Sequence, residues 1–436
     1  MASESCERQP NPGAPGSYNL VAGGIRAHAI LVVLSLIYMS DYVVRYVLSG
    51  MIDFIKQDWN ITDAQAGSLV SVVLLFITVF TVPAAILIDR WSRRKMIAIM
   101  VFLWSLASLA CTFTMNYTQL LIARAFLGIG EAGYAPGGTA MLAAAYPEEK
   151  RARVMGLWNV SIPLGVGVGL LAGGLIAKSW GWKSAFGLVA FPGLLLALAA
   201  WFLPDYRTVH FETSSAGFKS LPTFSARAAG ILRIPSLFLT YLGFAMNVAA
   251  STALMTWLPS YFERTGLAKP GGGGMYTMPI FALVLVGAPL GGFLSDAWHR
   301  RRKEARSLFP ALGSLAASLI LVAALLMEGR ETQIFVFALY GVFAALYIAP
   351  ATSVTQDLVH PGMRAFSYGM CVIVQHLCGD VWSPWLVGLA SDRFGLSKAM
   401  CILPAFGILA SLFFYGSARF LVRDLALVEK VELNAE

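Results

Sequence analysis

The sequence predicts an all-α membrane protein, with 12 transmembrane helices arranged as two pseudo-symmetric six-helix bundles. Three observations predict it. The 436 residues are 57% hydrophobic and 13% charged, with a mean hydropathy of +0.68, whereas soluble domains carry about 25% charge. Apolar runs of roughly 20 residues, the length that crosses a bilayer, recur along the chain. The two halves also repeat each other's Gly and Pro positions.

The runs fall at about 27–50, 66–88, 96–115, 119–145, 154–177, 184–203, 235–262, 275–297, 307–327, 333–357, 366–390 and 398–420. The longest polar gap, 204–234, holds Arg207, Lys219, Arg227 and Arg233 and reads as a linker. The expected organisation is a tail (1–26), a first six-helix bundle (27–203), the linker (204–234), a second bundle (235–420) and a tail (421–436). The first tail is polar and Pro/Gly-rich and lacks the charged start and short apolar core of a signal peptide, so the first run is expected to stay in the membrane.

Lysine and arginine set the expected orientation, because they collect in cytoplasmic loops. Of the 32 Lys and Arg, 22 lie on the side of the termini and linker, 8 on the other side, and 2, Arg45 and Arg124, inside runs. Both termini and the linker are therefore expected in the cytoplasm. The short tails and loops suggest a bacterial inner membrane, with the chain a monomer. Charge scattered through short loops, with no single basic soluble face, argues against a nucleic-acid partner.

The repeat is the most specific architectural signal. Asp89-Arg-Trp-Ser-Arg-Arg-Lys95 follows the second run, and Asp296-Ala-Trp-His-Arg-Arg-Arg-Lys303 follows the eighth, at an offset of 207. Pro136, Pro147, Gly165, Gly174 and Gly181 meet Pro350, Pro361, Gly379, Gly388 and Gly395, each at an offset of 214. A weaker echo lies within each half: Gly174 to Gly181 and Gly388 to Gly395 resemble the loops after runs two and eight. Nested three-span repeats in two six-span halves mark a transporter that rocks around a midplane site.

Charges inside the apolar runs cost about 2.5–3.5 kcal/mol each at mid-bilayer and so point to function. Asp41 and Arg45 lie one turn apart on one helix face, and Arg124 and Glu131 two turns apart on another. Their repeat mates, Val248, Thr252, Ala338 and Ala345, carry no charge. Burial raises a carboxylate's proton affinity and a nearby guanidinium lowers it. A motion that shifts Arg45 or Arg124 relative to the acids therefore switches a proton on and off. Glu131 is the first choice of carrier and Asp41 its second or partner. The alternative is a static network that fixes helix packing. His376 and Asp380, one turn apart in the eleventh run, either hold a head group or a second proton, or form a satisfied polar pair beside a helix break at Gly379 and Pro384.

The loop from Asp89 to Lys95 and the run Arg124-Ala-Phe-Leu-Gly128 resemble motifs of the major facilitator superfamily, with Ala85 where the first motif usually has glycine and Gly292 keeping it in the second copy. A narrower resemblance joins Asp41-Tyr-Val-Val-Arg45-Tyr-Val-Leu-Ser-Gly50, Thr62-Asp63-Ala-Gln65-Ala-Gly67 and Arg124 to Ala132 to the Spinster family of lysophospholipid and sphingolipid transporters. Fold-level likeness covers nearly the whole chain, and the narrower match rests on the first five runs. One departure is Val44, where that family usually has an acid directly before the arginine; here the acid is Asp41.

The resemblance implies a proton-coupled transporter that alternates access, with a small-molecule or lipid-like substrate, a proton gradient as driving force and no other cofactor. It implies a site lined by spans 1, 4, 7 and 10. Those spans supply Tyr38, Tyr42, Tyr134, Asn247, Met255, Phe343 and Tyr347, and span 5 adds Trp158 and Asn159. Aromatic and Met residues with few fixed charges suit an amphiphile with its head near Arg45 or Arg124. It further implies a state-specific latch made by Asp89, Arg90, Arg93, Arg94, Asp296 and Arg300. The competing expectation on the same fold is a drug exporter or an organic-anion transporter.

Several motifs point elsewhere and lose on context. Gly128-Ile-Gly-Glu-Ala-Gly133 matches a dinucleotide fingerprint, which needs a preceding strand and a soluble unit. The five histidines show no metal-ligand or acid–base spacing, so neither a metal site nor an enzyme is expected. The glycine run 165, 169, 173 reads as close helix packing. Gly271 to Gly274 reads as a flexible connection. Cys111, Cys371, Cys378 and Cys401, in or beside apolar runs, read as small packing residues.

Overall fold

A computed structural model describes residues 24–146, 148–204, 224–360 and 363–428. Pro147, Pro361, most of the linker and both outer tails lie outside the described residues, as do the side chains of Asp89 and Arg90. Every regular element described is a helix. The N-terminal half comprises α1 (Ile25–Tyr46), α2 (Asp63–Arg90), α3 (Arg93–Thr112), α4 (Tyr117–Glu131), α5 (Tyr134–Ala145), α6 (Glu148–Asn159), α7 (Ser161–Trp180) and α8 (Trp182–Trp201). The C-terminal half comprises α9 (Pro235–Arg264), α10 (Gly273–Ala282), α11 (Val284–His299), α12 (Ala305–Leu326), α13 (Arg330–Ala345), α14 (Ile348–Asp357), α15 (Arg364–Gln375), α16 (Ser383–Phe394) and α17 (Leu403–Ala426).

Among the described residues, ten helical runs are long and apolar enough to cross a membrane. The sequence runs 119–145 and 366–390 are instead interrupted. A turn at Ala132 and Gly133 separates α4 from α5. A single π-helical turn, His376–Asp380, separates α15 from α16. Large apolar side chains such as Phe126, Phe293, Phe335 and Leu412 stand exposed on the outer faces, as a lipid solvent requires.

Local chemistry sets the helix starts. The Thr62 hydroxyl accepts from Gln65 N, and the Gln65 side chain accepts from Thr62 N, a reciprocal cap that opens α2. Ser92 and Asn116 accept from Lys95 N and Gln119 N and open α3 and α4.

The glycine run at 165, 169 and 173 sets the seat of α1. A Cβ added at Gly165, Gly169 or Gly173 would strike the backbone carbonyl of Met39, Val43 or Val47 respectively. Both series advance by four residues in the same direction, so α1 and α7 run parallel with their backbones almost touching. This contact holds the turn bearing Asp41 and Arg45 against α7.

The halves meet at the end of the bundle away from the termini. There α16 packs on α2, and α10 packs on α7. Gly388 lies against the Asp63 carbonyl, Gly67 against that of Pro384, and Gly174 and Gly271 against each other. The expectation of a flexible connection at Gly271 to Gly274 is therefore corrected. Gly271 and Gly272 turn the chain, and Gly273 and Gly274 start α10, packed on Pro259 and Leu170. Side chains larger than hydrogen do not fit there, which explains the run better than freedom of motion does.

Candidate functional site

Arg45 stands in the last turn of α1 and is the hub of the buried charges. Its Nη2 lies 2.9 Å from Asp41 Oδ2 on its own helix and 2.9 Å from Glu131 Oε2 at the end of α4, and its Nε donates to the same Glu131 oxygen at 3.0 Å. The side chains of Asp41 and Glu131 are 3% and 0% exposed, and that of Arg45 is 14% exposed. Each acid gives one oxygen to Arg45. Asp41 Oδ1 and Glu131 Oε1 are buried and accept no hydrogen bond from the described residues. Two carboxylates thus share one guanidinium, with an acceptor to spare on each.

Arg124 has a different position. It is fully buried and donates through Nε to Leu69 O at 3.1 Å, through Nη1 to Val44 O at 3.4 Å and through Nη2 to Arg45 O at 3.3 Å. The last carbonyls of a helix have no partner of their own and carry partial negative charge. Arg124 therefore caps the end of α1 and ties α4 to α1 and α2. Although Arg124 and Glu131 share a helix face, Glu131 bonds to Arg45 of the neighbouring helix.

An aromatic wall continues along α1. Tyr38 stacks on Trp158 with ring centres 4.2 Å apart and meets Tyr42 edge-on at 5.3 Å; Arg45 Cζ sits 4.8 Å from the centre of the Tyr42 ring. Tyr134 and Trp158 are almost wholly buried behind Tyr38 and donate to the Leu34 carbonyl. Asn159 is exposed and donates to Met155 O in its own helix at 2.9 Å.

In the C-terminal half, Asn247 is buried and donates to Ser314 Oγ at 2.9 Å, linking α9 to α12. Tyr347 packs between Phe244 and Phe414. Met255 joins a small cluster with Tyr42 and Tyr46 from α1, and Phe343 packs against the larger core. His376 Nδ1 lies 2.9 Å and 3.0 Å from the two Asp380 oxygens, within the π turn. Asp380 is 4% exposed. A π turn puts an extra residue into a helix and is frequently found at functional sites.

Of the residues expected to form a latch, Asp296 lies 3.5 Å from Arg306, which also pairs with Asp357 in the same half. Arg94 donates to Leu203 O at 3.0 Å. Arg300 bonds through its backbone to Asp296 O, and Arg93 makes contacts of its own.

The ion pairs that join the halves lie at the other end and were missed in the sequence. Arg264 Nη1 and Nη2 each lie 2.8 Å from an Asp63 oxygen, and Arg264 Nε donates to Asp53 Oδ1 at 2.9 Å. Lys56 also pairs with Asp63, and Ser391 Oγ donates to it at 2.6 Å. Asp392 accepts from Asp63 N at 2.7 Å and Ala64 N at 2.9 Å, so a carboxylate of the C-terminal half caps a helix of the N-terminal half. A signal was present. Gly388-Leu-Ala-Ser-Asp392 repeats the spacing of Gly292 to Asp296, which marks Asp392 as the counterpart of the loop aspartates at the opposite membrane face.

A family model described as the Major Facilitator Superfamily matches residues 34–379. The chain is 25% identical to Protein spinster homolog 1 of Xenopus laevis over 93% of its own length and 84% of that protein's. It is 28% identical to an MFS-type efflux pump of Mycolicibacterium smegmatis, over 88% and 90% of the two lengths. It also resembles the crystal structure of a bacterial homolog to the human lysosomal transporter Spinster, in an inward-facing and unoccupied conformation. That likeness has a TM-score of 0.80 at 22% identity, covering 92% of this chain and 99% of the other.

Proposed function

The chain belongs to the Major Facilitator Superfamily, whose members are membrane transporters, and on that premise we propose that it is a proton-coupled secondary transporter of a lysophospholipid or sphingoid-like amphiphile. The observation that supports this most is the sharing of Arg45 between the buried Asp41 and Glu131, a charge cluster whose repeat mates in the other half are uncharged. When Arg45 leans toward one acid, the other loses its cation and takes a proton. When Arg45 returns, the proton leaves. Coupling follows if the substrate head group competes for Arg45, because substrate then alters how the two acids divide the guanidinium.

Alternation of access is supported by the far-end contacts. Arg264, Asp63 and Asp392 hold the halves together there, and these bonds must break if the opposite face is to close. An amphiphile would suit the side chains around the cluster: Tyr38 and Tyr42 beside the partly exposed Arg45 guanidinium, with Met255 of the other half against Tyr42. The likeness to an efflux pump favours a second reading, export of an apolar drug through the same site.

The test is uptake by proteoliposomes of a panel of lysophospholipids, sphingoid bases and lipophilic drugs, with lumenal pH recorded. The proposal expects at least one lyso- or sphingoid lipid to move and to shift lumenal pH as it does so. Transport of drugs alone would select the second reading. Lipid movement with no pH change would remove the coupling.

A further inference from the structure

Beside the transport path, the structure holds a groove of about 630 Å³ at the membrane face that carries the termini. It lies between the start of α12 and the last turns of α17. Arg301, Arg302, Lys303 and Arg419 line it, with Glu304 the one acid. Basic loops on this face are expected from topology alone. Two features go beyond that expectation. First, no ion pair among the described residues uses any of the four cations, while their neighbour Arg306 is held by Asp296 and Asp357. Second, Arg419 is positioned: its guanidinium lies 4.9 Å from the centre of the Tyr415 ring, and Tyr415 lines the same groove.

The surface leading away from the groove is apolar. On α12, Leu308 lines it and Leu312, Leu315 and Leu319 continue the same face into the membrane, all three exposed. On α17, Ile408, Leu412, Tyr415, Arg419 and Val422 recur every three or four residues and make one exposed stripe. A cationic cup at the membrane surface with two apolar tracks running inward matches a phosphate head group carrying two acyl chains. A free phosphate would use the cup alone, whereas the chains of a bound lipid would also lie along these lipid-facing tracks.

We propose that this groove is a binding site for an anionic diacyl phospholipid, separate from the central charges. The full-length protein in neutral detergent supplies the test, with the thermal unfolding midpoint followed during titration with phosphatidylglycerol, phosphatidylcholine or inorganic phosphate. Phosphatidylglycerol should raise the midpoint saturably, and the other two should not. The triple variant R302Q/K303Q/R419Q should weaken the half-saturating concentration by at least about ten-fold, since each surface cation near an anionic membrane contributes on the order of a five-fold factor. The charge-matched variant K150Q/R153Q/R233Q, on the same face, should respond like the parent. Equal loss in both triples would mean diffuse attraction and overturn the proposal, as would stabilisation by phosphate alone. Should the triple variant not fold, R419Q by itself must weaken the response, and an unchanged response overturns the proposal. Tyr38→Ala, in the central site, must leave the response intact; its loss there would place the lipid in the transport path.

Discussion

Arg45 and Arg124 lie side by side in the interior and have opposite jobs. Arg124 spends its donors on carbonyls of α1 and α2, so its removal leaves several buried acceptors unmet. Each such group costs roughly 1–3 kcal/mol. Arg124→Gln should therefore lower the thermal unfolding midpoint markedly and cut the yield of folded protein; a midpoint equal to the parent's would refute the capping role. The in-span charges were legible in the sequence because each is expensive in lipid. Their partners were not. Helical spacing puts Arg124 and Glu131 on one face, but a guanidinium reaches past its own helix, and the carbonyls freed where α1 ends attract it. Only the fold shows that Glu131 turns to Arg45.

At the scale of elements, glycine spacing foretold close packing without naming the partner. Gly165, Gly169 and Gly173 could have faced any neighbour; the structure gives them Met39 and Val43 of α1 and Val47 directly after it. Gly169→Leu should force α1 from α7 at a cost on the order of 1–3 kcal/mol, read as a lower unfolding midpoint. Because α1 carries Asp41 and Arg45, any protein that folds should also transport poorly. Parental stability in that variant would contradict the register. Hydropathy likewise placed the runs at 119–145 and 366–390 but does not register a one-turn break; Gly379 and Pro384 marked the break in the second run, while the one after Glu131 shows only in the fold. Both breaks adjoin in-span charges, Glu131 in one case and His376 with Asp380 in the other.

At the scale of the whole molecule, the duplicated halves and their membrane setting were legible in composition and in the repeat offsets. The contacts that close the far end were not, because they join residues 201 to 329 positions apart that lie in different halves. Breaking one partner of a partly buried ion pair costs on the order of 3 kcal/mol, enough to move a two-state equilibrium by more than ten-fold. Arg264→Gln should therefore open the far end. Spin labels on Gln57→Cys and Arg393→Cys, in a background lacking Cys6, Cys378 and Cys401, should show a distance distribution extended to longer values. An unchanged distribution would mean that apolar packing alone holds the halves.

The central claim is that Asp41 and Glu131 exchange a proton as Arg45 moves between them, and lumenal pH in proteoliposomes tests it most directly. With lysophospholipid added, the parent should change lumenal pH, and Glu131→Gln should bind lipid and fold normally yet leave lumenal pH unchanged. A Glu131→Gln protein that still moves protons with its substrate would contradict the account and leave these charges a purely structural network.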